Sequence, residues 1–197
     1  MKKTFIILGA VRAVIALGVI STLNGVVSLD EKCKADWSQV LNQYQRRYDL
    51  IPNLVATVKG YAVHEQDTLI QVVDARNKAT QTTLSSEMLS DKKAMEAFMQ
   101  NQNELSSALN RLMVVVERYP ELKANENFLS LQSQLEGTEN RIAVARKDYI
   151  DSVRLFNTRI RKIPTKWVIA VFSDFEPKAI FNIDESMQEA PVVDFNK

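Results

Sequence analysis

The sequence has very little of what catalytic and metal centres are usually built from. It holds one histidine, His64, and one cysteine, Cys33. One thiol cannot close an intrachain disulfide, and one imidazole with one thiol falls short of the three or four ligands of a zinc site. A lone His also leaves no ordinary Ser/His/Asp arrangement, and neither a Gly-rich phosphate loop nor a nucleophile elbow is present. Glu-x-x-His, the ligand pair that di-metal bundles repeat on two helices, does not occur. Charge of one sign is missing too. With 25 Lys+Arg against 24 Asp+Glu, no net field gathers a polyanion. The expectation is a protein that is not an enzyme, binds no cofactor and has no nucleic-acid partner.

Glycine and proline are also scarce, at five each in 197 residues, which leaves few breaks and favours long helices. Hydrophobic residues make up 46% of the chain, enough for a packed core. The apolar content is concentrated first at the N-terminus. After Met1-Lys2-Lys3-Thr4, residues 5–29 form an almost unbroken apolar run. The run is longer than the roughly 7–15-residue core of a signal peptide, and no small-x-small cleavage site precedes Asp30-Glu31-Lys32. It reads as an uncleaved single-pass anchor in the cytoplasmic membrane, with the bilayer as its partner. Arg12 is out of place in it, either meeting an intramembrane partner or snorkelling toward Lys2 and Lys3. Basic residues flank both ends of the run, so sidedness is not fixed; the basic tip leans the soluble part outward. Cys33, just beyond the run, is a unique thiol for a membrane-impermeant label.

Beyond the anchor, helical periodicity dominates. Phe128, Leu131, Leu135, Thr138, Ile142, Ala145, Tyr149, Ser152, Phe156 and Ile160 alternate steps of three and four. This heptad seam, typical of a bundle or coiled coil, predicts a helix from about 127 to 160, with Asn125 as N-cap and Pro164 as stop. Met95, Phe98, Met99, Gln102, Leu105, Leu109, Leu112 and Val116 predict a second helix over 91–117, ended at Tyr119-Pro120. Two further stripes, Trp37 to Ile51 and Leu54 to Ala75, flank Pro52, which either starts a helix or kinks one. The methionines Met88, Met95, Met99 and Met113 fall at core spacing, although such a set also suits an adaptable groove. The expected fold is all-α: an N-terminal transmembrane helix (1–29), then an up-and-down antiparallel four-helix bundle of long helices (30–163). The tail (164–197) loses the helical period, but carries Trp167, Val171, Phe172, Phe175, Phe181, Val193 and Phe195, and is expected to pack back on the bundle.

Several segments together resemble the bacterial LemA family. One block is Trp37-Ser38-Gln39-Val40, Asn42 through Val55 with Arg46-Arg47 and Ile51-Pro52-Asn53, Val58-Lys59-Gly60-Tyr61, and His64-Glu65. A second is Tyr119-Pro120, Leu122 to Asn125, Phe128, Thr138 to Ala143, Ala145-Arg146, Tyr149 and Phe156-Asn157, with the ending Pro191 to Phe195. The resemblance implies a membrane helix followed by a helical bundle, and assigns no biochemical role. Arg12 in the anchor and Ile150 after the Tyr depart from the family pattern without disturbing the match.

Six residues stand out as interaction candidates. Arg46 and Arg47 suit a phosphate or lipid headgroup, but two arginines fall short of the roughly four to eight in lipid-reading clusters. A solvated face or an ion pair inside the bundle explains them as well. His64 and Glu65, joined by Glu139, would be the start of a metal or small-ligand site; a surface role for His64 is the simpler reading. Glu139 and Arg141 flank Thr138 on the seam and suit either a protein partner or a polar layer that fixes helix register. The leading expectation is a membrane-tethered interaction or scaffold module with a protein partner, self-association being the variant; the rival is the bundle site around His64, Glu65 and Glu139.

Overall fold

The computed structural model describes residues 2–62, 64–81, 85 and 89–181, and among them the chain is all-α, with no strand. The first helix, α1, runs unbroken over Lys2–Lys59. At a rise of 1.5 Å per residue it is about 87 Å long. Its apolar N-terminal part includes an 18-residue window with none of it buried, and α1 is the one helix of the described residues long and apolar enough to cross a membrane. Arg12 lies within this exposed stretch. Burial begins at Val26 and then recurs through Cys33, Trp37, Val40, Tyr44, Ile51, Leu54 and Val58. That is the same helical stripe continued, so no linker separates the apolar run from the core.

Pro52 neither starts nor ends α1. A proline inside a helix cannot supply its N–H to the carbonyl four residues earlier, here Tyr48. Arg76 repairs the gap: its Nε donates to the Tyr48 carbonyl at 2.8 Å. The break comes instead at Gly60, where a short turn leads to α2, Gln66–Gln81. Helix α3, Lys92–Val116, starts at Asp91, whose carboxylate accepts from the backbone N–H groups of Lys93 and Ala94. After the single turn α4, Pro120–Lys123, helix α5 covers Glu126–Arg161. Asn125 caps it as expected, accepting from the Phe128 N–H at 3.0 Å.

The expected seam is the observed one. Phe128, Leu135, Thr138, Ile142, Ala145, Tyr149, Ser152, Phe156 and Ile160 are buried on α5, and Leu131 is half-buried. Met95, Phe98, Gln102, Leu105, Leu109, Leu112 and Val116 are buried on α3. The α1–α5 pair is the most extensive packing, α2 packs on α3 and on α1, and the contacts of α1 with α5 run in opposite sense. Trp37 meets Tyr149, whereas Arg47, further along α1, meets the earlier Glu139.

The tail departs from the expectation of a segment without helical period. Thr165–Phe172 forms a further helix, α6, because Pro164 can precede a helix as readily as it ends one. Beyond it the chain does turn back along the core. Asn157 clamps the Lys178 backbone through two hydrogen bonds of 2.9 Å, the Ala179 N–H donates to the Leu89 carbonyl, and Phe181 packs against Trp37 and Tyr149. Met88 and the ending with Pro191, Val193 and Phe195 lie outside the described residues.

Candidate functional site

Polar side chains converge at one level of the core. Arg47 of α1 is buried, and its guanidinium donates to Gln102 Oε1 (2.5 Å) and Ser106 Oγ (3.1 Å) of α3 and to Glu139 Oε1 (2.8 Å) of α5. The neighbouring Tyr48 hydroxyl accepts from Gln102 Nε2 (2.6 Å) and donates to the Ala79 carbonyl of α2 (3.3 Å). Arg47, Tyr48 and Gln102 therefore tie α1, α2, α3 and α5 together. The Arg47 guanidinium also stacks 5.0 Å from the centre of the Tyr44 ring. Burial raises the Tyr48 hydroxyl pKa, against the Gln102 bond and the Arg47 charge, which pull it down; burial raises Tyr44 as well. Both phenols stay neutral, so the ion pair of this layer is Arg47 with Glu139.

Glu139 is where the layer reaches solvent, its side chain 46% exposed. It lines a groove of about 590 Å³ between α3 and α5, with Leu109, Met113 and Leu135 among apolar walls and Ser106, Asn110, Gln132 and Glu136 at polar positions. This is a semi-polar trough rather than an enclosed pocket.

A family model described as LemA family matches residues 36–195. The chain belongs to the LemA family. No curated protein matches it.

In this LemA-family chain the six candidate residues part company. Arg47 and Glu139 meet; Arg46, one residue along α1, is exposed. Arg141 is exposed too and donates to the Thr138 hydroxyl at 3.3 Å, closing a local bond on α5. His64 is exposed in the turn after α1. Glu65 pairs with Arg118 at 3.0 Å and accepts from the Tyr119 hydroxyl at 3.3 Å, which fixes that turn to the end of α3. The structure does not bring His64 and Glu65 to Glu139. Glu139 sits at the level of Arg47, and the end of α1 at Lys59 lies about 18 Å further along the axis. No group of three His, Cys, Asp or Glu side chains able to hold a metal occurs among the described residues.

A second polar knot was not among the sequence candidates. Asp30 receives Lys178 at 2.7 Å and Lys34 at 2.8 Å, and Lys178 is itself almost buried, 5.1 Å from the Phe156 ring centre. Burial alone would raise the Asp30 pKa, but hydrogen bonds and charge from Lys178 and Lys34 outweigh it and hold the carboxyl below its ordinary value. Cys33, one turn along and fully buried, has its thiol pKa pushed up by burial, against smaller opposing pulls from Ser152 and Lys178. The signal the sequence carried was a polar residue on an apolar seam, at Gln102, Thr138 and Ser152. Asp30 and Lys178 are 148 residues apart and carry no local signature.

Proposed function

We propose that this protein is a membrane-tethered interaction module: four long helices in an up-and-down arrangement, held on the cytoplasmic membrane by the first half of α1. The carrying observation is that α1 passes without a break from an uncovered apolar stretch into the core. A bundle attached in this way cannot swivel on a flexible linker, so whatever it presents is presented at a fixed height and angle. The opposed contacts of α1 with α5 support the bundle reading, as does the polar layer that reaches α2 and α3. The charged groups of the core are spent on tying helices together, which fits a scaffold better than a catalyst. The side facing a partner is the α3–α5 groove, whose apolar floor and polar rim suit side chains of another membrane or envelope protein. The basic tip of the chain leans the bundle toward the outside of that membrane.

The test is site-specific photocrosslinking in native membranes. A crosslinking residue at Asn110, exposed in the groove, should give the same heterologous adduct in repeated preparations. One at Lys147, exposed on α5 away from the groove, should not. Equal yields from both, or adducts of the chain with itself alone, would overturn the reading.

A further inference from the structure

We propose that α6 is an interfacial foot: a short helix lying in the headgroup layer of the membrane leaflet from which α1 emerges, with Ile163, Trp167, Val171 and Phe172 turned into lipid. The inference rests on the reading of α1 as a membrane anchor and extends it to a second, non-spanning attachment.

The placement comes first. Because α5 runs opposite to α1, its end lies where α1 leaves its apolar stretch; the Arg159 guanidinium lies beside Gly25, where a Cβ would meet it at 3.7 Å. Helix α6 follows immediately and packs on both α1 and α5, burying Thr165 and Ile169. On α1 the half-buried residues extend down to Val19, Thr22 and Leu23, inside the apolar run. After α6 the chain climbs away again, with Phe175 against Phe156, Lys178 on Asp30 and Phe181 on Trp37. Helix α6 is thus the lowest point of the folded part, level with the end of the span.

Its chemistry fits that level. Ile163, Trp167, Val171 and Phe172 are 63%, 64%, 73% and 61% exposed, four large apolar side chains within ten residues. Elsewhere beyond the span, exposed apolar residues are scattered more thinly. Water does not favour such a patch on a soluble surface, whereas a bilayer interface does, and tryptophan is the side chain that concentrates there. The flanks carry Arg159, Arg161, Lys162 and Lys166, all exposed, and no acidic residue occurs between Asp151 and Asp174. Apolar side chains beside a local run of cations are what a helix lying on anionic lipid presents. Continuity with the exposed apolar face of α1 selects the bilayer over a second copy as the occupant.

The experiment uses the full chain reconstituted into phosphatidylcholine vesicles containing phosphatidylglycerol, with flotation to establish insertion. Tryptophan emission is compared between ordinary lipid and lipid brominated close to the headgroup. The other tryptophan, Trp37, is in the core and acts as an internal reference, isolated in the variant Trp167→Phe. The expected result is loss of the Trp167 emission in brominated lipid, with the Trp167→Phe variant left unquenched. Protein that floats with the vesicles while Trp167 escapes quenching would overturn the foot and leave the anchor standing. Protein that fails to float would overturn the anchor, and the foot with it.

Discussion

The helix through Pro52 makes a prediction that depends on one atom. In any other residue at this position the N–H would donate to the Tyr48 carbonyl; here Arg76 Nε, from α2, donates instead at 2.8 Å. Arg76→Met keeps the aliphatic stem and removes the donor, leaving a part-buried carbonyl without its partner. A hydrogen bond to a charged group contributes about 1.5–3 kcal/mol. For a chain of this size about 2 kcal/mol corresponds to roughly 4–8 °C in melting temperature. In a Pro52→Ala background the restored N–H serves the same carbonyl, so Arg76→Met orphans nothing. The half-exposed guanidinium loses little, and the cost should fall to roughly half. The assay is a double-mutant cycle by thermal melts in detergent, followed by circular dichroism at 222 nm, the standard helix band. Equal cost of Arg76→Met in both backgrounds would refute the idea that α2 supplies the donor that Pro52 lacks.

Three further predictions concern the two polar knots. Glu139→Gln keeps an acceptor for Arg47 but removes the charge facing a buried cation; because Glu139 is half-exposed, the cost should be about 1–2 kcal/mol in urea unfolding. An unchanged midpoint would show that Arg47 is held by Gln102 and Ser106 alone. Asp30 has a folded pKa below its unfolded value of about 3.9, so its stabilisation is complete above that value and is lost as pH falls through the folded pKa. Asp30→Asn should therefore melt well below the parent at neutral pH, the gap closing below about pH 4; a gap constant from pH 7 to pH 3 would refute the pairing with Lys178. Cys33 is fully buried with a raised thiol pKa, so a membrane-impermeant maleimide should label it only after denaturation. Labelling of native protein in intact or gently lysed cells would contradict the packing of α1 on α5, and sidedness is better probed through Lys147→Cys, which is exposed.

Much of the architecture was legible because it is periodic. The α3 and α5 seams, the cap at Asn125 and the long apolar run depend on residues within a turn or two of each other. What stayed open or was missed lies where tertiary contacts decide local structure. Pro52 stayed open between starting a helix and kinking one because Arg76, which serves the carbonyl it leaves bare, sits 24 positions later on another helix. The tail looked aperiodic because α6 is only eight residues long, too short for a seam to show. The rival site of His64, Glu65 and Glu139 stayed open in the sequence because it depends on where along α1 each residue stands, which no local pattern encodes. Arg46 and Arg47 looked alike as a pair, yet the helical step of about 100° per residue turns one to solvent and the other into the core.

That single turn of the helix explains why a charged layer sits in an otherwise apolar core. Apolar seams spaced every seven residues tolerate slippage by one heptad, since leucine can take the place of leucine. Arg47 does not tolerate it. A shift of α5 by seven residues would bring Gln132 or Arg146 to the place of Glu139. The first leaves the buried cation without a countercharge, and the second sets a like charge against it. A corresponding slip of α3 replaces Gln102 by Met95 or Leu109, neither of which can accept from the guanidinium. The layer therefore contributes register where the seams contribute burial. Correct register decides which residues of α3 and α5 stand at the groove, and so the chemistry of the surface that the proposed function assigns to a partner.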